Sequence, residues 1–146
     1  MRCLGIDYGE RRIGLSWGDE LGVAVPLPAA TDPTPEARLA RVVALARERR
    51  ATDLVVGYPY NMDGTVGFKA REVDAFIERL VALVPLPVHR VDERLSTRTA
   101  TEHLSKRRDD ELRRSGRIDS MAASVILQDF LNQRLPPPEL DEPTAE

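Results

Sequence analysis

Hydrophobic positions along this chain change their spacing several times, and each change marks an element. Residues 2–7 (R-C-L-G-I-D) and 13–19 (I-G-L-S-W-G-D) read as short strands, with a third near Val23 to Leu27. Ala30 to Pro35, rich in proline, threonine and aspartate, breaks that pattern, and Thr34 followed by Pro35 is a helix start. Leu39, Val42, Val43 and Ala46 then fall at i, i+3, i+4 and i+7, one face of a helix whose other face is mostly arginine and glutamate. Asp53 to Tyr58 (D-L-V-V-G-Y) has the unbroken apolar character of a strand buried on both faces.

Pro59 to Gly67 reads as a loop turning at Asp63-Gly64. A second helix follows, with Val73, Phe76, Ile77, Leu80 and Val81 on one stripe; Pro85 and Pro87 end it, and Val88 to Val91 is a last short strand. Ser96 to about Ser105 is predicted helical, the charged segment Lys106 to Arg117 a mobile loop, and Asp119 to Asn132 a final helix. The first three strands have short connections and should form an antiparallel meander, while the later ones alternate with helices and should be parallel. The expected fold is therefore α/β, a mixed sheet with helices on both faces.

Composition narrows the class. At 146 residues the chain suits one domain, expected over residues 1–135, and the proline-rich acidic tail 136–146 reads as disordered. No apolar run approaches the roughly 20 residues of a membrane span. Met1 leads straight into a strand, and the lone Cys3 excludes an internal disulfide, so a cytoplasmic protein with no membrane partner is expected. The net charge of −3 is carried by the tail: its last eight residues hold four acids, and residues 1–138 sum to +1 (21 basic minus 20 acidic). Nineteen of the 21 cations are arginines, whose planar fork suits phosphate oxygens. Arg98 to Arg117 carries seven cations against four anions, which fits a phosphate-bearing partner and fits equally a solvated loop.

The strand ends concentrate the chemistry. Ligands of open α/β sheets sit at the carboxyl ends of the parallel strands. Asp7 ends the first strand, the Pro59–Gly67 loop follows the fourth, and Asp92 and Glu93 end the fifth. Asp119 shares a stripe with Ala122, Ala123, Ile126 and Phe130, so its carboxylate leaves from the buried face of the final helix at its first turn. Singly, each acid has a plain structural role to hand: Asp7 opens the turn at Tyr8-Gly9, Glu93 pairs with a surface cation, Asp119 caps a helix. Together they repel one another without a cation. Three carboxylates on one rim suit a hard divalent ion, Mg²⁺ or Mn²⁺, and a pair of such ions can activate water for in-line displacement at a phosphodiester. His89 and His103 lack zinc spacing and read as packing or surface residues. Gly9 and Gly14 imitate a phosphate-binding loop, but Leu15 stands where that loop needs its lysine, so they serve the tight first hairpin, with Arg11 and Arg12 at its tip.

Four pieces then occur in order: G-I-D-Y-G-E-R-R-I-G (5–14), G-Y-P-Y-N-M-D-G (57–64), D-E-R-L-S-T (92–97) and I-D-S-M-A-A-S-V-I-L-Q (118–128). On these the chain resembles the YqgF family of bacterial nucleases, also called RuvX, within the RNase H-like superfamily. The resemblance implies that Asp7, Glu93 and Asp119 are catalytic, metal-binding carboxylates. It implies maturation of precursor 16S ribosomal RNA, with a ribosome or pre-ribosomal particle as partner. A competing role is Holliday-junction resolution on branched DNA, which needs a two-fold homodimer where RNA cleavage needs only a monomer. Tyr60, Asn61, Arg12 and Arg94 are candidate substrate contacts, Tyr60 as a stacking ring or as a tyrosine packed under its own loop. A binding protein without catalysis would be expected to have lost a carboxylate, and an actin-like ATPase or sugar kinase needs two such domains.

Overall fold

The computed structural model describes residues 1–61, 63–93 and 120–134. The helix expected from Ser96, the loop Lys106–Arg117 and the tail from Pro136 lie outside these residues, as do Arg94, His103 and Asp119. Five strands form one sheet in the order β3-β2-β1-β4-β5, with β1 Arg2–Tyr8, β2 Ile13–Asp19, β3 Val25–Ala30, β4 Asp53–Tyr58 and β5 Val88–Asp92. β1–β2 and β2–β3 pair antiparallel, and β1–β4 and β4–β5 pair parallel. This is the mixed sheet the hydrophobic pattern predicts.

Helices α1 (Pro35–Glu48) and α2 (Phe68–Leu83) cover one face, and α3 (Met121–Arg134) covers the other. α1 starts where the sequence says it should, with the Thr34 hydroxyl accepting from Ala37 N and Pro35 at the first helical position. The Asp63-Gly64 turn is also present: Gly64 has φ 88°, and Asp63 accepts from both Thr65 N (3.0 Å) and its hydroxyl (2.7 Å). The third strand differs. It begins at Val25 rather than Val23, because Gly22 (φ 82°) sits in the preceding turn, and it runs on through Pro26 and Pro28 to Ala30. As an edge strand it tolerates prolines that an interior strand would not.

Strand alternation sorts the core into two layers. Leu4, Ile6, Ile13, Leu15, Leu54 and Val56 point to the α1/α2 side and are fully buried. Each such side chain contributes about 1.5–3 kcal/mol by leaving water. Cys3 and Val55 point to α3, where Ile126, Leu127, Phe130 and Leu131 cover them. Among the described residues no helix is long and apolar enough to cross a membrane.

Candidate active site

Alternation also decides where the rim carboxylates go. Gly5 lies under α3, since a Cβ there would stand 2.9 Å from Leu127 Cβ and 3.2 Å from the Ala123 carbonyl oxygen. Asp7, two residues on in the same strand, therefore leaves from the α3 side. Gly57 in β4 likewise faces α3, and its missing side chain makes room for Glu93: a Cβ would stand 3.1 Å from Glu93 Oε2 and 2.4 Å from Ile126 Cδ1. Glu93 directly follows β5, whose Val91 packs into the α3 layer. Asp7 and Glu93 thus come to the same sheet end and the same face, and both line one cavity of about 290 Å³.

Among the described residues, that cavity carries Asp7, Glu10, Glu72 and Glu93 against a single cation, Lys69. Four acids to one base is a surplus that favours a cation over a neutral ligand. No three His, Cys, Asp or Glu side chains among the described residues gather closely enough to hold a metal ion by themselves. The third carboxylate the sequence nominates, Asp119, lies outside them. Its neighbour is described: Ser120 is fully buried, and its hydroxyl accepts from Leu15 N at 2.9 Å, where the β2–β3 register shifts. Leu15 is paired with Ile6, the residue before Asp7. The Ser16 hydroxyl donates to the Ala123 carbonyl at 2.8 Å, so α3 is pinned to β2 twice within one turn.

Of the remaining nominated residues, Arg12, Tyr60 and Asn61 are described, and none of them lines the cavity. Arg12 is exposed at the hairpin tip, which is tight because a Cβ on Gly9 would stand 2.7 Å from the Arg12 carbonyl oxygen. Tyr60 is half-buried, its ring edge-on to Tyr58 at 4.7 Å between centroids. Asn61 closes its own loop, donating Nδ2 to the Thr65 hydroxyl at 2.9 Å. His89 takes a packing role: Nε2 lies 2.8 Å from Asp53 Oδ2, and its ring lies 4.8 Å from that of Phe130. Burial would raise the Asp53 carboxyl, but the hydrogen bonds from His89 and Thr52 hold it below its usual range.

Sequence reasoning missed three charged cavity residues, Glu10, Lys69 and Glu72, and one brace. Lys69 and Glu72 extend the buried α2 stripe by one turn, four residues before Val73 and Phe76, past the edge of the sheet and into the cavity wall. Reading that stripe backwards would have found them. Arg38 is the brace. The helical pattern assigns it to solvent, yet it is only 7% exposed, donating to the Asp32 carbonyl at 2.7 Å and the Glu10 carbonyl at 2.8 Å. It ties the β1–β2 hairpin tip to the start of α1.

Two other features lack the chemistry of a site. A larger cavity of about 860 Å³ between β3 and α1 is lined mostly by alanine, leucine and proline, with Glu48 and Arg49 at one end, and its Asp32 already accepts from Arg41 Nε and Nη2 at 2.7 and 2.9 Å. Burial pushes the Cys3 thiol up to about 11, which leaves it unreactive at neutral pH.

Residues 1–133 match the family described as RuvX: Holliday junction resolvase. A relative from Opitutus terrae, named pre-16S rRNA nuclease, is 58% identical over 139 residues, covering 94% of this chain and 96% of its own. One from Crocosphaera subtropica with the same name is 38% identical over 133 residues, covering 90% and 93%. Among solved structures, RuvC of T. thermophilus in complex with Holliday junction substrate aligns with a TM-score of 0.55 at 17% identity. It covers 92% of this chain and 95% of that one, a likeness of fold.

Proposed function

This chain belongs to the RuvX family, and on that premise we propose that it is a divalent-metal-dependent nuclease that hydrolyses phosphodiester bonds in the maturation of precursor 16S ribosomal RNA. The observation that carries the reading is the convergence of Asp7 and Glu93, from two non-adjacent strands, on one acidic cavity in a chain so similar to relatives of that name. Asp119 is the third carboxylate of the proposal. The anchoring of Ser120 on Leu15, one residue from the partner of Asp7, supports it.

The donor set fits Mg²⁺ or Mn²⁺. The groups brought together are carboxylate oxygens, while the His89 imidazole is engaged by Asp53 and the Cys3 thiol is buried. When bound, such an ion supplies an activated water and offsets negative charge on the leaving oxygen. The chain's own part is to hold Asp7 and Glu93 stiffly: Asp7 continues a fully paired strand, and Glu93 lies against Gly57 beside Ile126. Arg12, Arg94, Tyr60 and Asn61 are proposed to meet the substrate around the rim. The protein is proposed to act in the cytoplasm, on RNA free or within a pre-ribosomal particle.

Resolution of Holliday junctions is the second reading, favoured by the family's own description and the RuvC fold. Labelled single-stranded RNA and a synthetic four-way DNA junction, each incubated with Mn²⁺ or EDTA, separate the two. RNA cut only with metal, and not by Asp7→Asn, upholds the first reading. Paired symmetrical nicks in the junction alone, from a dimeric protein, uphold the second. Binding of both without cleavage leaves a non-catalytic nucleic-acid-binding protein. Millimolar Mn²⁺ is also expected to raise the melting temperature of the parent and not that of Asp7→Asn, because only the intact folded site holds the ion.

A further inference from the structure

Seven aromatic residues are spread along the chain, and six are turned into the fold. Tyr58, Phe76 and Phe130 are buried. Tyr8 lies against Phe76 at 4.7 Å, Tyr60 stands edge-on to Tyr58, and half-buried Trp17 lies under the Arg49 guanidinium at 5.3 Å. Phe68 is the exception, with 72% of its surface open to water.

Its position is specific. Phe68 is the first residue of α2, directly before Lys69, and it shares a helical row with Glu72 four residues on. Lys69 and Glu72 both line the cavity that holds Asp7 and Glu93. Phe68 thus opens the helix whose next residue and next turn line the cavity, and Val66, two residues earlier in the chain, is 44% exposed. The backbone beneath is fixed: a Cβ on Gly67, which caps α2, would stand 2.7 Å from Asn61 Oδ1, so the loop is closed tightly onto the helix start.

A large ring held in water, next in sequence to the lining of an acidic cavity, gains nothing from the fold. It offers a flat apolar face, which the base of an unpaired nucleotide can cover and a base within a duplex cannot. The neighbouring ammonium is the one cation of the cavity's described lining, placed to meet the backbone phosphate of the same strand. We propose that Phe68 and Lys69 form the strand-binding edge of this site, Phe68 stacking an unpaired base and Lys69 meeting the adjoining phosphate. This rests on the nuclease reading and narrows its substrate to strands that are unpaired beside the cleaved bond.

The test measures binding in the full-length Asp7→Asn background, where cleavage does not intrude, and cleavage kinetics in the parent. Phe68→Ala is expected to weaken binding of a single-stranded RNA oligonucleotide by about ten- to a hundred-fold. Phe68→Trp should recover it, and the loss in cleavage should fall on KM. On a strand of equal length with abasic sites along its middle, and on a blunt duplex, Phe68→Ala should bind as its background does. Lys69→Gln should instead weaken all of these, with a salt dependence shallower by about one phosphate contact. Equal affinity of Phe68→Ala and its background for the unpaired strand would overturn the proposal. So would a loss that comes with a lower melting temperature and is not recovered by tryptophan. If the parent cuts nothing while this binding pattern holds, the nuclease reading falls and the strand-binding edge stands. If the parent cuts RNA and the Phe68 variants bind normally, the reverse is true.

Discussion

The two faces of the sheet are built on opposite principles. Toward α1 and α2 the strands present leucine, isoleucine and valine, and the helices are held off by a thick layer of side chains. Toward α3 they present Gly5, Ser16, Gly18 and Gly57, and the helix comes down almost to the backbone: a Cβ on Gly5 would stand 2.9 Å from Leu127 Cβ and 3.2 Å from the Ala123 carbonyl oxygen, and one on Gly18 2.7 Å from Leu131 Cδ1. Polar contacts complete the thin side. Besides the Ser16 and Ser120 bonds, Gln128 accepts from Ala24 N at 2.9 Å and donates to the Gly22 carbonyl at 2.8 Å. One face is stabilised by volume and the other by fit. Asp7 and Glu93 stand at the rim of the fitted face, where a small displacement of the helix moves the surroundings of both.

Substitutions on each face should separate stability from activity. Leu4→Ala empties a fully buried site on the thick face and is expected to cost about 2–5 kcal/mol in urea unfolding, while the protein that remains folded keeps its turnover. Gly57→Ala is expected to do the reverse. Its Cβ would press on Ile126 and Glu93, at about 1–3 kcal/mol in stability, with cleavage reduced far beyond the fraction unfolded. If Gly57→Ala kept full activity, the fitted face would not govern the site.

How much of this was legible follows the same division. The thick face was written in period and alternation: Val42, Val43, Ala46, Val73, Phe76, Ile77 and Leu80 are buried as the helical stripes require. The strand-end rule found Asp7 and Glu93 because both sit where a strand stops. The thin face was not legible in this way. Its hydrogen bonds join residues more than a hundred positions apart, Leu15 to Ser120 and Ser16 to Ala123, and no local pattern announces such partners. Arg38 was misplaced for a related reason, since a helical wheel has no place for a charge that reaches along its own helix to carbonyls at the chain's turns. Tyr60 drew attention for its place in a motif, whereas exposure, which only the fold reveals, falls to Phe68.

Smaller changes sharpen the comparison. Ser120→Ala leaves the buried Leu15 N–H without its acceptor, at an expected cost of about 1–3 kcal/mol, and reduced cleavage should accompany the loss if this anchor also sets Asp119. Restored activity on lowering the temperature alone would separate the anchor from the site. His89→Gln removes the partner of Asp53 at the far end of the thin face and should cost less than about 1 kcal/mol at pH 6. The folded Asp53 pKa lies below the unfolded reference of 3.8, so its contribution is present above that pH and is lost as pH falls through the folded value. The gap between parent and His89→Gln in urea melts should therefore narrow in acid below pH 3.8; a gap independent of pH would assign the effect to packing on Phe130 instead.

The order in which the chain is made adds a consequence of the fitted face. Of the described elements β1 is synthesised before the others, and the helix that closes over its glycine side, Met121–Arg134, after them. The parallel pairing of β1 with β4 and the thick layer of α1 and α2 need nothing beyond residue 83, so that half can condense early. The face beneath Asp7 stays open until Met121–Arg134 has been made. The scaffold that carries the two rim carboxylates therefore forms ahead of the helix that encloses them, and on the proposed function the chain acquires its activity late in its own folding.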